Sequence, residues 1–137
     1  MGCAVSSQVF CKRLRPDQDL RLSLKQWAEE ENLQAASVVS AVGSLKSAEI
    51  RLADGKTATH FEGPFEIVSL TGTVSKGGLH LHISLADKTG KTIGGHLLEG
   101  SKIYTTAEIT LLEATQFQFS REKDNETGYE ELVIRKR

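Results

Sequence analysis

The sequence has no apolar run near the roughly 20 residues that a membrane-spanning helix requires, and no charged-then-apolar leader opens it. A soluble, cytoplasmic domain is therefore expected, or a nuclear or membrane-associated one in a eukaryotic source. It also lacks an excess of either charge: 17 Lys and Arg stand against 18 Asp and Glu, for a formal net charge of −1. With no overall positive field, nucleic-acid binding would have to come from a local basic patch, so that contact is expected to be weak or indirect. Cysteine is scarce. Cys3 and Cys11 lie on what reads as one extended segment, which cannot fold back to join them, so both are expected as free thiols in a reducing compartment. With only two prolines and no low-complexity tract or repeat, nothing marks a linker. One domain over residues 1–137 is expected, with 1–6 as a flexible start. A chain of this length buries roughly two-thirds of its unfolded surface, so it needs no metal or disulfide to hold its core.

What is present begins with Met1-Gly2-Cys3-Ala4-Val5-Ser6. This fits an N-myristoylation pattern, with Gly2 as acceptor and Cys3 as a second acylation site, and would give an N-terminal lipid anchor. The alternative is a short unmodified start.

Val9 to Leu14 reads as a strand stopped by Pro16, with Asp17 suited to cap a helix. From Asp19 to Asn32, Leu20, Leu24, Trp27 and Ala28 recur at helical spacing, and Asn32 can adopt the left-handed conformation that closes a helix. Ser37 to Val42 reads as a buried strand ending at Gly43. The rest reads as strands between turn residues: Ala48 to Ala53, Thr57 to Phe61, Phe65 to Ser75, Leu79 to Ala86, Lys91 to Leu98, Ile103 to Leu112, Phe117 to Arg121 and Leu132 to Arg135. Turns are expected at Asp54-Gly55, Gly63-Pro64, Gly77-Gly78, Asp87 to Gly90, and Asp124 to Gly128. The result is an α+β domain, mainly antiparallel sheet with one packed helix.

Three of the four histidines, His80, His82 and His96, fall within seventeen residues. His80 and His82 are two apart on an expected strand and share a face. The connection Asp87-Lys88-Thr89-Gly90 has Asp where a type I turn starts and Gly where a G1 bulge needs positive φ, which pairs Asp87 with Lys91. Counting back from that pair sets His82 opposite His96, and all three imidazoles converge. A two-residue loop would instead put His96 on the other face. Three neutral imidazoles on one face suit a divalent transition metal, foremost Zn²⁺, with a fourth position left for water or substrate. The plainer alternative is strand histidines that face solvent. His60 reads as a surface strand residue, and Trp27 and Tyr104 as core or interface packing.

Gly94, Gly95 and Gly100 surround His96, and adjacent glycines in a strand point to a backbone packed closely against them. Taken together, Leu79-His80-Leu81-His82-Ile83-Ser84-Leu85-Ala86-Asp87, Gly90, Ile93-Gly94-Gly95-His96-Leu97-Leu98-Glu99-Gly100, Thr105 to Ile109 and Gly63-Pro64-Phe65-Glu66-Ile67 resemble the PPC (plants and prokaryotes conserved) domain across nearly the whole chain. The resemblance implies an α+β homotrimer in which His80, His82 and His96 hold a metal in some microbial members, and in which plant members recruit partner proteins. Those plant proteins read DNA through an AT-hook. Here Arg13-Leu14-Arg15-Pro16 has leucine in place of the hook's glycine, so a DNA-associated role rests on family likeness alone. The C-terminal Arg135-Lys136-Arg137 is a small basic patch or a solubilising tail.

The expected function is a homotrimeric binding or regulatory module with a three-histidine zinc site. The alternative is a zinc-dependent enzyme acting on a small molecule, with Glu66, Glu99 or Glu108 as candidate general base. On a regular strand Glu99, three residues past His96, points away from the imidazole.

Overall fold

The computed structural model describes residues 6–137. The N-terminal acylation pattern at Gly2 and Cys3 lies outside them. In chain order the elements are β1 (Ser7–Leu14), α1 (Leu20–Glu30), β2 (Ala36–Arg51), β3 (Ala58–Ser75), β4 (Gly78–Ala86), β5 (Thr92–Leu97), β6 (Lys102–Ala114), β7 (Phe117–Lys123) and β8 (Glu130–Lys136). Every pairing is antiparallel, as expected for α+β. The main sheet runs β1-β6-β2-β3-β4-β5, and β7 with β8 forms a separate ribbon. The α1 helix is too short and polar to cross a membrane, and no other helix among the described residues is long and apolar enough to do so.

The sheet closes on itself because one side of β2 is shared end to end. Residues Ala36 to Ser47 pair with β6, while Ile50 and Arg51 pair with Leu97 and His96 of β5. The turn between β5 and β6 stays beside β2, with the Leu98 amide donating to the Glu49 carbonyl at 2.9 Å. Strands β2, β3, β4 and β5 thus form a small barrel. Its interior takes Leu45, Ile50, Ile67, Leu81, Leu85 and Leu97, with Ile103, Ile109 and Leu111 of β6 extending the core. Leu20, Leu24, Trp27 and Ala28 close it from the helix side, so of the two expectations for Trp27, core or interface, the core is the one realised. Burial of this apolar surface is the main favourable term in the fold.

The helix is anchored by Asp19, its N-cap, rather than by Asp17. One carboxylate oxygen of Asp19 accepts from the Leu22 amide at 3.0 Å, and the other accepts from the Gly100 amide at 2.6 Å. Asp17 instead takes a left-handed conformation (φ 71) and pairs with Lys46. Asn32 is left-handed as expected (φ 52), but the helix has already ended at Glu30 with Glu31 as its C-cap.

Two expected breaks are absent. The chain runs through Gly43 as one strand, β2, and through Gly63-Pro64 as one strand, β3. A Cβ on Gly43 would lie 2.1 Å from the Thr106 carbonyl oxygen, so this glycine admits a neighbouring strand and does not turn the chain. The expectation of a buried strand over Ser37 to Val42 also fails. Val39 and Val42 are exposed, because the sheet's core-facing side chains there lie on the other face.

Candidate metal centre

The Asp87 to Gly90 turn forms as the sequence reading requires. The Asp87 amide donates to the Lys91 carbonyl at 2.8 Å, and Gly90 has φ 86. Asp87 fixes the turn by accepting from the Thr89 hydroxyl and amide and from the Lys91 amide, and these bonds, that of the Thr89 hydroxyl foremost, hold its carboxyl below the usual carboxylate range. The register that follows puts His82 opposite His96. On β4 the odd positions Leu81, Ile83 and Leu85 are buried, so His80 and His82 point outward. On β5 Leu97 points into the core beside Ile50, and His96 points out beside Arg51.

Ring centroids lie 4.9 Å apart for His80 and His82, 5.5 Å for His80 and His96, and 5.9 Å for His82 and His96. The two Nε2 atoms of His80 and His82 are 3.2 Å apart, and one ligating atom from each of the three rings lies within 4.8 Å of the others. Nitrogens about 2.0–2.1 Å from one tetrahedral zinc would stand roughly 3.3 Å apart, so the first pair is already at that spacing and the third needs a small contraction. The buried Nδ1 of His96 has no hydrogen-bond partner, an orphan that a protein interior normally avoids. Two of the imidazoles, His96 and His80, are biased toward the neutral form. Burial, then Arg51 and Arg21, push His96 down to about 4, and burial, then His82 and Arg121, lower His80. Neutral imidazole is the ligating form. The donor set therefore fits a divalent transition metal on its own chemistry.

The neighbouring glycines have a steric role. A Cβ on Gly95 would meet the Arg51 carbonyl oxygen and Ile50 Cγ2 at 2.7 Å each, so only glycine lets β5 come between β4 and β2. Gly94 is similarly tight against Ile83 of β4. Gly100 turns the chain at φ 99 and presents its amide to Asp19.

The candidate glutamates do not gather here. Glu66 lies near the far end of the β3–β4 ladder, opposite Ala86, in a hollow with Ser44 and Tyr104. Glu108 sits opposite Arg13 and Val42 on β6. Glu99 is exposed in the turn after β5, with Arg21 as its charged neighbour. His60 is apart as well, held between Glu49 and Glu62, whose hydrogen bonds raise its pKa, that of Glu62 foremost. Four residues beside the histidines carry no local sequence signal. Arg51 ends β2, and Arg121, Tyr129 and Glu131 come from the β7–β8 ribbon; with His80 and His96 they line a cavity of about 430 Å³. Arg21 likewise carries no local sequence signal. It reaches from the helix to the carbonyls of Leu97 and Leu79, both at 3.3 Å, each next in sequence to a cluster histidine.

A barrel-closed antiparallel domain with one capping helix and an outward three-histidine cluster defines a small α+β protein. The chain belongs to the Plants and Prokaryotes Conserved (PCC) domain family, whose model matches residues 1–115, the same family that the sequence motifs resemble. The β7–β8 ribbon lies beyond that match. A hypothetical protein from Salmonella cholerae-suis (Salmonella enterica) has the same fold at a TM-score of 0.94, with 33% identity and 98% of each chain covered. The metal-containing protein AF0104 from Archaeoglobus fulgidus aligns at a TM-score of 0.75 with 30% identity, covering 92% of this chain and 93% of its own. The chain is also 47% identical, over 96% of its length, to a protein named bifunctional protein GlmU from Synechococcus sp. strain JA-3-3Ab, but spans only 21% of that relative's length.

Proposed function

We propose that this domain is a zinc-binding module in which His80, His82 and His96 are the ligands, working as a homotrimer in a binding or regulatory role. The observation that carries this reading is the convergence of three imidazoles, one ligating atom of each within 4.8 Å of the others, together with a buried His96 Nδ1 that has no hydrogen-bond partner. The similarity to an archaeal protein described as metal-containing supports it. The likeness to a fifth of a longer bifunctional protein supports a module that works beside other domains. The exposed valines Val39, Val42 and Val68 on β2 and β3 support self-association through this face.

A DNA-associated role has less behind it. The segment nearest to an AT-hook begins as the end of β1, with Leu14 buried and Arg13 bonded to Thr106 at 3.0 Å. At the other terminus Arg135 pairs with Glu122 of β7 and Arg137 with Glu113 of β6, so two of the three basic residues are engaged in intramolecular ion pairs.

A zinc-dependent enzyme is the second reading, and Glu131 favours it, because its charge faces His80 from the wall of the same cavity. When bound, the metal would supply Lewis acidity and activate water. Glu131, placed by β8 and bonded to the Thr127 hydroxyl at 3.0 Å, could then take up a proton.

Native mass spectrometry with elemental analysis tests the main reading. The expected result is three chains with about one zinc each, and zinc content near zero in His96→Ala. Failure of the wild type to take up zinc would overturn the metal assignment, and a monomer at micromolar concentration would overturn the trimer.

A further inference from the structure

The row of outward side chains that contains His96 also contains an arginine with nothing to bind. Arg51 stands opposite His96, which stands opposite His82, so the three form one line across β2, β5 and β4. Directly paired positions share a face at a Cβ spacing of about 5 Å. Arg51 is half-buried and makes no hydrogen bond or ion pair among the described residues. A guanidinium has five donors and loses hydration on burial, so one left unused beside a cavity is unusual.

A second guanidinium flanks the cluster from the other side. Arg121 of β7 is oriented by donating to the Thr73 hydroxyl at 3.0 Å, and Thr73 stands opposite His80. Arg51 and Arg121 therefore bracket the histidines, and both line the cavity of about 430 Å³ roofed by Tyr129 of the ribbon. That volume lies within the range of small-molecule sites. Glu130 and Glu131 bring negative charge to the same cavity. No ion pair joins either of them to either arginine, and Glu131 already accepts from Thr127. With a divalent ion on the histidines, the two guanidiniums and the metal outweigh the two carboxylates by two charges.

We propose that this cavity binds a small molecule through an oxyanion group, carboxylate or phosphate, held by Arg51 and Arg121 beside the fourth coordination position of the metal. Planar guanidinium forks match these anions with two parallel hydrogen bonds, which a lysine cannot reproduce. The inference rests on the metal reading for that fourth position, but the arginine pair stands independently of it. The ribbon that supplies Arg121 and Tyr129 lies outside the residues that match the family, so it is the part of this chain that would set ligand choice.

Isothermal titration calorimetry tests this on full-length protein loaded with one zinc per chain, dialysed free of excess metal, and titrated separately with acetate and inorganic phosphate. The expected result is binding of at least one of the two by the wild type. Arg51→Gln should bind at least tenfold more weakly with unchanged zinc content, and Arg51→Lys should recover only part of the loss. The anion that binds identifies the carboxylate or phosphate source. Equal affinity in Arg51→Gln, or no binding of either anion by zinc-loaded wild type, would overturn the proposal. Elemental analysis of each sample separates this from failure of the metal site. If the wild type takes no zinc, Arg51-dependent binding to the metal-free protein still sustains an oxyanion site, and its absence removes it.

Discussion

His60 and His96 both sit on outward-facing strand positions, and their surroundings move them in opposite directions. Glu62 and Glu49 raise His60, so the folded state favours its protonated form. Its contribution to stability is full below the ordinary imidazole pKa of about 6.5 and is lost as pH rises through the raised value. Burial and two arginines lower His96 to about 4, so the folded state binds fewer protons than the unfolded chain between that value and about 6.5. Its contribution is present above about 6.5 and is lost as pH falls toward 4. Urea unfolding across pH should therefore show the difference between wild type and His60→Gln growing on acidification, and that between wild type and His96→Gln shrinking. In metal-free protein an NMR titration of the His96 ring should have its midpoint near 4; a midpoint at 6 or above would contradict the low-pKa environment. The three ligand candidates were legible because their spacing and one turn rule were enough to bring them together. Arg51 and Arg121 were not, since one depends on barrel closure and the other on how a distant ribbon lies over the sheet.

Among the elements, β5 is constrained from both neighbours, Gly94 against β4 and Gly95 against β2. Gly95→Ala would press a methyl group against the Arg51 carbonyl and the fully buried Ile50 side chain of β2, which leaves little room to adjust. A loss of about 1–3 kcal/mol is expected by urea unfolding, along with weaker zinc uptake because His96 is displaced. Gly90 makes a useful contrast. A Cβ there meets nothing, so Gly90→Ala should cost only the left-handed backbone penalty, about 1–2 kcal/mol, with zinc uptake retained. For the helix, Asp19→Ala removes both the N-cap bond and the bond to Gly100, and about 1–2 kcal/mol of stability should go with them. These elements also show where sequence reading stopped. Asp87 and Gly90 act locally, so their turn could be read, whereas Gly43 and Gly63 have the same composition signal for a different reason. A Cβ on Gly63 would lie 2.8 Å from two carbonyl oxygens of β2, a contact with a strand that precedes it by many residues. No local rule separates a glycine that bends the chain from one that makes room for a neighbour.

For the whole molecule, the informative surface is the one the helix leaves uncovered. Val39, Val42 and Val68 are each more than half exposed, with Val9 of β1 at 59% and Tyr104 at 52%, so Tyr104 is not core and remains open to an interface. If this face joins the subunits, Val42→Asp with Val68→Asp should give folded monomers with an unchanged circular dichroism spectrum, read by equilibrium sedimentation. Trimers persisting in the double variant would place the interface elsewhere. Because β5 pairs with both β4 and β2, closure of the barrel consumes what would have been one border of the sheet. β1 is left as the single strand of the six with a neighbour on only one side among the described residues, and it carries Lys12 and Arg13. Closure thus does more than place His96. It confines the main sheet's risk of open-ended strand stacking to one short margin carrying Lys12 and Arg13, where like charges discourage a second copy from pairing.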